Sequence, residues 1–216
     1  MVGRDEVHRR GYGRLDLGDI ITVAIGIARA EGIHALTMRR VADELGCAPM
    51  SLYRHVADRR ALLLAMLDDV AARIDLPEPL GDPAAEITAL MSAAHRVMAA
   101  DAWVVTVLVV DGLASPLILP LIERLVGALA RAGLDGRRAI AAHALLWQFT
   151  YGELLTTHHA RADAWNRRMV LDSDPQRFPR LHAALAELDP DGGAERYPDN
   201  LALVVRSVLE QVGPHH

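Results

Sequence analysis

Between Thr37 and Val56 the sequence "TMRRVADELGCAPMSLYRHV" fits two helical patterns into one short stretch, parted only by a glycine and a proline. Thr37 is a helix-capping type, and Met38, Val41, Ala42 and Leu45 follow at the i, i+3, i+4, i+7 spacing of one buried helix face. Gly46 stands where a helix ends on a left-handed residue. Pro49 suits the first turn of the next helix, where its missing N–H would have no partner anyway. A helix-turn-helix needs a small residue where its helices cross, a glycine-like turn, and apolar anchors that set the second helix at a steep angle. Ala42, Gly46, Cys47, Leu52 and Val56 fit those places. The free face of the second helix then holds Pro49, Met50, Ser51 and Arg54, with Tyr53 and His55 toward its end, and is available to a DNA major groove. Spacing alone fits two small packed helices equally well.

The flanking sequence is helical too. Asp16 is the N-cap of a first helix, with Asp19 near its positive end and Ile20, Ile21, Ala24, Ile27 and Ala28 at helical spacing up to Gly32. Asp58 recaps the chain for "RRALLLAMLDDVAARI", and the Pro- and acid-rich "DLPEPLGDP" reads as a domain boundary. Further helices are expected over "PAAEITALMSAAHRVMAA", "AWVVTVLVV", "PLILPLIERLVGALARAG" with Ser115 as its cap, and a long segment from Gly136 to about residue 163. Residues 172–200 read as a loop with one short helix near "RLHAALAEL". The last helix, "NLALVVRSVLEQV", aligns Leu201, Val204, Val205, Val208 and Leu209. No period-2 strand stands out, so the fold class is all-α. The expected layout is a basic arm at 1–14, a helix-turn-helix domain at 15–57, a connecting helix at 58–75 and a larger helical domain at 76–216.

At 216 residues, 51% of them hydrophobic but only two of them Phe, the chain can fill a sizeable core with Ala, Leu, Val and Ile. The one cysteine, Cys47, excludes a disulfide framework and points to a reducing cytoplasm. The polar N-terminus has no apolar signal segment, and the most apolar stretch is broken by Asp111, Gly112, Ser115 and Pro116, so no membrane role is expected. All 23 basic side chains are Arg, so any anion contact uses guanidinium forks. Residues 1–60 hold ten Arg against eight acids, leaving −7 on residues 61–216, and only the N-terminal third can approach phosphates without strong repulsion.

The run "GIHALTMRRVADELGCAPMSLYRHVADRRALL" closely resembles the DNA-binding domain of tetracycline-repressor (TetR) family regulators, from about Leu15 to Asp69. Its most specific part, "LYRHVADRRALL", is similar to the family pattern L-Y-x-H-[FV]-x-x-[KR]-x-x-L-L. The resemblance implies a dimer on a palindromic double-stranded operator, with a helical C-terminal domain that binds a small-molecule inducer. It implies that Thr37 and Arg39 meet phosphate, that Pro49, Met50, Ser51 and Arg54 face base edges, and that Tyr53, His55 and Arg59 clamp the backbone. The sequence departs from the pattern in two ways: Ala48 lacks the capping hydroxyl common there, and Pro49 and Met50 offer bases no hydrogen bond, so readout leans on Arg54, Ser51, thymine methyls and DNA shape. Arg9, Arg10 and Arg14 suit either a solvated tail or a minor-groove arm.

In the C-terminal half, two helices at about 136–163 and 199–212 are too apolar for lone surface elements. The first carries Ile140, Ala144, Leu145, Phe149 and Leu154, with Gly152 allowing close approach. In the family the corresponding helices pair as a four-helix bundle, which implies a homodimer. Candidate effector-pocket residues are Met91, His95, Met98, Trp103, Val107, Trp147 and Tyr151, with His143 or Trp165 beside them, and ordinary core packing is the competing reading for each Met and Trp. They suggest a hydrophobic or aromatic inducer. His158 and His159 point about 100° apart on a helix and make a poor chelate; His159 and Asp163 share a face but do not make a site. No cofactor is expected, and no nucleophile–base spacing, phosphate loop or metal motif supports an enzyme. The expected function is a ligand-responsive repressor, with an activator or ligand-independent regulator of the same fold as the alternative.

Overall fold

Helix α1 (Leu17–Glu31) starts where its cap dictates: the Asp16 carboxylate accepts the Asp19 N–H at 2.8 Å, and Gly32 ends it. A short 3₁₀ turn, Ile33–Ala35, leads to α2 (Met38–Leu45), which opens on the Thr37 hydroxyl oxygen accepting the Arg40 N–H at 3.1 Å. At its far end Gly46 takes φ 66°, Cys47 N–H reaches Ala42 O at 3.0 Å and Gly46 N–H reaches Asp43 O at 3.3 Å. This double bond pattern turns the chain on a left-handed residue. Helix α3 follows at once as Pro49–Leu52, a single turn with Pro49 in its first positions and no side-chain cap from Ala48. Asp58 caps α4 (Arg59–Ala72) by accepting the Ala61 N–H at 2.7 Å.

These elements come from a computed structural model that describes residues 15–159, 165–187 and 197–210, with the side chains of 157–159 and 165–167 excepted. The arm with Arg9, Arg10 and Arg14, the side chains of His158, His159 and Trp165, and Asp163 lie outside the described residues. The remaining helices are α5 (Pro83–Ala99), α6 (Trp103–Val109), α7 (Leu119–Arg131), α8 (Gly136–His159), α9 (Trp165–Leu171), α10 (Pro179–Ala186) and α11 (Tyr197–Glu210). All regular structure among the described residues is helical, as the sequence pattern requires. No single helix among them is long and apolar enough to cross a membrane.

The described residues form two compact units, one within 15–72 with 106–116 and one within 73–105 with 117–210. In the first, Ile20, Ala24, Ile27, Leu36, Val41, Ala42, Leu52, Val56, Leu62 and Met66 form the core. Leu52 and Val56 are the buried anchors of the short second helix of the pair. The Ser115 hydroxyl donates to Asp68 at 2.6 Å, and a 3₁₀ turn, Pro116–Ile118, stands ahead of α7, whose own N-cap Ile118 makes no side-chain capping bond.

In the second unit α5 packs against α7, α8 and α11, and α8 packs against α7 and α11. The core is Ile87, Leu90, Met91, Ala94, Leu121, Leu125, Leu129, Leu146, Leu154, Leu201 and Val205. The carboxylate of Glu86, 2% exposed, takes Arg124 through Nε at 3.1 Å and Nη2 at 2.8 Å, and its other oxygen takes Arg131 Nη2. The sequence reading did not include α9.

Candidate DNA interface and effector site

The local chemistry of the first unit sets what its surface offers. Thr37 caps α2 with an oxygen lone pair, so its hydroxyl proton is still available to an acceptor such as phosphate. Arg39 has 88% of its side chain exposed and only a 4.0 Å contact with Asp43. Its neighbour Arg40 is committed elsewhere: Nη2 meets Glu31 at 2.7 Å and Nη1 meets Glu44 at 2.8 Å, and these two carboxylates raise its pKa further above the ordinary arginine value. On α3 and the turn after it, Pro49, Met50, Tyr53, Arg54 and His55 are exposed and Ser51 is half-buried. Met50 is 73% exposed, so its side chain adds little to folding and lies open on this face.

Arg59, which the resemblance gives a clamp role, has two backbone partners within its own domain. Its Nε donates to Leu36 O at 2.9 Å and its Nη2 to Ile33 O at 3.2 Å, so the side chain is turned into its own domain.

The second unit brings together a set of side chains that sequence spacing only partly reveals. His95 Nε2 lies 2.6 Å from Glu153 Oε2, and the His95 ring stacks on Tyr197 at 3.6 Å between centroids and 8° between planes. Phe149 also stacks on Tyr197, at 5.8 Å between centroids. Thr150 Oγ1 donates its one proton to Leu146 O at 2.8 Å, which makes Tyr197 the donor in the 2.8 Å bond between the two hydroxyls. Burial pushes the Tyr197 phenol up to about 12, so it stays protonated. Glu153, Thr150 and Tyr197 were not among the candidates. His95 and Glu153 stand 58 residues apart, and no local rule pairs them.

His143, Trp147 and Tyr151 form a ladder along α8. Trp147 Nε1 donates to His143 Nε2 at 2.9 Å, and the Trp147 and Tyr151 rings lie 5.5 Å apart. Burial raises Tyr151 to about 12 and holds His143 below its ordinary value of 6.5. Accepting the indole proton requires an unprotonated Nε2, in accord with that direction. Because the folded form prefers neutral His143 and the unfolded chain protonates near 6.5, folding loses stability as pH falls through 6.5 toward the folded value. The thermal midpoint of the wild type should therefore fall more steeply than that of His143→Gln between pH 7.5 and about 5.5. Parallel curves would refute this.

Met91 and Met98 are buried in the same unit. Trp103 is buried there too, its indole N–H bonded at 3.0 Å to Asp101, which also takes Arg73 at 2.7 Å. Val107 is buried but belongs with residues 106–116 in the first unit, because the boundary between the units falls inside α6. An open groove of about 680 Å³ between α5 and α11 is lined by small side chains such as Ala85, Thr88 and Ala89, and none of the candidate effector residues lines it. No group of three or more His, Cys, Asp or Glu among the described residues is placed to hold a metal ion.

Residues 20–66 match the family described as "Bacterial regulatory proteins, tetR family", and residues 77–211 match "Tetracyclin repressor-like, C-terminal domain". The chain belongs to the TetR family. A HTH-type transcriptional repressor, DrrR1 of Streptomyces coeruleorubidus, is 48% identical over 68 residues, 32% of this chain and 25% of that one. An HTH-type transcriptional regulator of Saccharopolyspora erythraea is 30% identical over 152 residues, 70% of this chain and 64% of that one. The chain thus matches under two thirds of the length of these curated relatives. The TetR family protein ActR of Streptomyces coelicolor, solved in complex with actinorhodin, superposes with a TM-score of 0.76 at 26% identity, covering 94% of this chain and 100% of that one. Its apo form gives 0.74 at 28% identity, covering 93% and 97%.

Proposed function

We propose that the chain is a ligand-responsive transcriptional repressor that binds a palindromic DNA operator as a homodimer and is released by a hydrophobic or aromatic small molecule. The observation that carries this reading is the exposed set Pro49, Met50, Tyr53, Arg54 and His55, presented by a four-residue helix whose Leu52 is fully buried. Thr37 and Arg39 stand at the start of the preceding helix, where phosphate is met. Kinship with the repressor DrrR1 over this domain supports the direction of control. Support for an effector in the second unit comes from the ladder of His143, Trp147 and Tyr151, the stacked His95 and Tyr197, and the likeness to actinorhodin-bound ActR.

Dimerisation is supported by the outer residues of α8 and α11. Ile140 at 59%, Leu145 at 51%, Leu155 at 37% and Leu203 at 56% exposure form apolar surface, and open space beside Gly152 leaves room for another helix. Effector binding changes the separation of the two recognition helices, so that both half-sites can no longer be engaged together. The protein acts in the cytoplasm, as a regulator and not a catalyst.

Footprinting on the DNA beside its own gene should show a protected palindrome, and a planar aromatic compound should both raise the melting temperature and release that DNA. No protection, or protection insensitive to every such compound, would defeat the corresponding half of the proposal. Light scattering at micromolar concentration showing only the 23.5 kDa monomer would exclude the dimer. Arg54→Ala should weaken operator binding about 10- to 100-fold and relax preference at one base position. Equal loss on every sequence would make Arg54 a phosphate contact instead.

A further inference from the structure

We propose that Arg59 is a positioning residue, which fixes the turn ahead of α2 so that Thr37 and Arg39 meet the DNA backbone, and that it does not itself grip a phosphate. This rests on the DNA-binding reading above.

Three arginines bear on the start of α2, and they differ in what they are doing. Arg39 has a largely exposed side chain with one long contact, to Asp43. Arg40 is held between Glu31 and Glu44. Arg59, the first residue of α4, spans the carbonyls of Ile33 and Leu36 with one fork. Ile33 begins the 3₁₀ turn that joins α1 to α2, and Leu36 follows its last residue and directly precedes the cap residue Thr37. The Ile33 and Leu36 side chains are buried beneath the same segment, at 4% and 0% exposure.

The segment is therefore pinned from two sides, by apolar burial below and by a charge-assisted fork on its carbonyls. A guanidinium suits this work because its N–H groups diverge in one plane at fixed angles; a lysine ammonium is a point donor on a flexible stem and holds two carbonyls less well. With the carbonyls fixed, the direction in which the chain enters α2 is fixed. So is the place where the Thr37 hydroxyl and the first N–H groups of that eight-residue helix present themselves.

A phosphate contact and a positioning contact respond differently to salt and to a charge-preserving change. The test uses the full-length protein and the duplex protected in the footprint, with affinity measured across a salt series for the wild type, Arg59→Lys, Thr37→Ala and the double variant. Arg59→Lys keeps the positive charge and is expected to fold. As a positioning residue, Arg59 replaced by Lys lowers operator affinity about tenfold while the slope of log affinity against log salt stays at the wild-type value. In that background Thr37→Ala has little further effect, because the hydroxyl is already misplaced.

Wild-type affinity in Arg59→Lys overturns the proposal. So does additivity with Thr37→Ala, or an Arg59→Ala variant, folded by circular dichroism, whose salt slope falls by about one per protomer. A wild type that binds no DNA sinks the DNA-binding reading and this proposal together, whereas a wild type that binds with an unaffected Arg59→Lys sinks this one alone.

Discussion

Leu52→Ala is expected to lower the stability of the first unit by about 3 kcal/mol and to abolish DNA binding with it. Helix α3 is one turn long, and so short a helix has no stability of its own in water. Ala48 gives it no side-chain cap, and Pro49 supplies only a preset φ. What holds it is burial: Leu52 at 0% exposure and, after the turn, Val56 at 4%. Removing the Leu52 side chain both loses apolar burial and leaves a void under the element that is meant to read DNA. Single domains are stable by only about 5–15 kcal/mol, so a loss of this size in a unit this small is a large share of the total. Denaturant midpoints followed by circular dichroism read the change. Met50→Ala on the same helix is the control, expected within about 0.5 kcal/mol of wild type because Met50 is 73% exposed. Equal destabilisation by the two would contradict the packing described for α3.

Glu86→Ala should destabilise the second unit by about 2 kcal/mol, because it removes the buried carboxylate that holds both Arg124 and Arg131 and leaves a void in its place, while the half-exposed Arg131 turns to water and Arg124 keeps the Pro77 carbonyl. Glu86→Gln should cost less, since one carbonyl oxygen remains to accept. The hydrogen bond from Arg124 is the main cause that holds the Glu86 carboxyl below the ordinary value of 4.5, and it outweighs the opposing effect of burial. The sign follows. A group whose folded pKa is depressed contributes stability above its unfolded pKa and loses it as pH falls through the folded one. The difference in thermal midpoint between wild type and Glu86→Gln should accordingly hold steady from pH 7 to about 5 and shrink as the pH falls below about 4.5 toward the folded value. A difference that does not change with pH would show that the triad acts through shape rather than charge.

The parts of this fold that could be read from the sequence are those decided within about five residues. Asp16, Thr37 and Asp58 cap the helices they precede, and Gly46 turns left-handed at the end of α2, because each condition needs only a side chain and nearby backbone. Family kinship was legible for the same reason, since "LYRHVADRRALL" is a contiguous run. Periodicity marked α5 and α8 as helices but did not single out Ala139, Ala142, Leu146 and Thr150 as the buried positions of α8, nor what meets them. The pairing of His95 with Glu153 and Tyr197, and of Glu86 with Arg124 and Arg131, depends on how helices distant in sequence cross. Arg59 had the right charge in the right place for a phosphate, and only the position of two backbone carbonyls, 23 and 26 residues earlier, gives it another partner. Val107 fits an apolar helix face equally well in either unit, so its membership could not be decided from pattern.

The brevity of α3 also bears on how such a protein changes over generations. Its hold on the domain runs through Leu52 and, past the turn, Val56, while Pro49, Met50 and Arg54 face outward and contribute little to folding. On the function proposed above, replacements at those outward positions alter which DNA is preferred with almost no effect on whether the chain folds. A lineage can therefore drift from one operator to another through a series of well-folded intermediates, and the step that ends it is a change at Leu52.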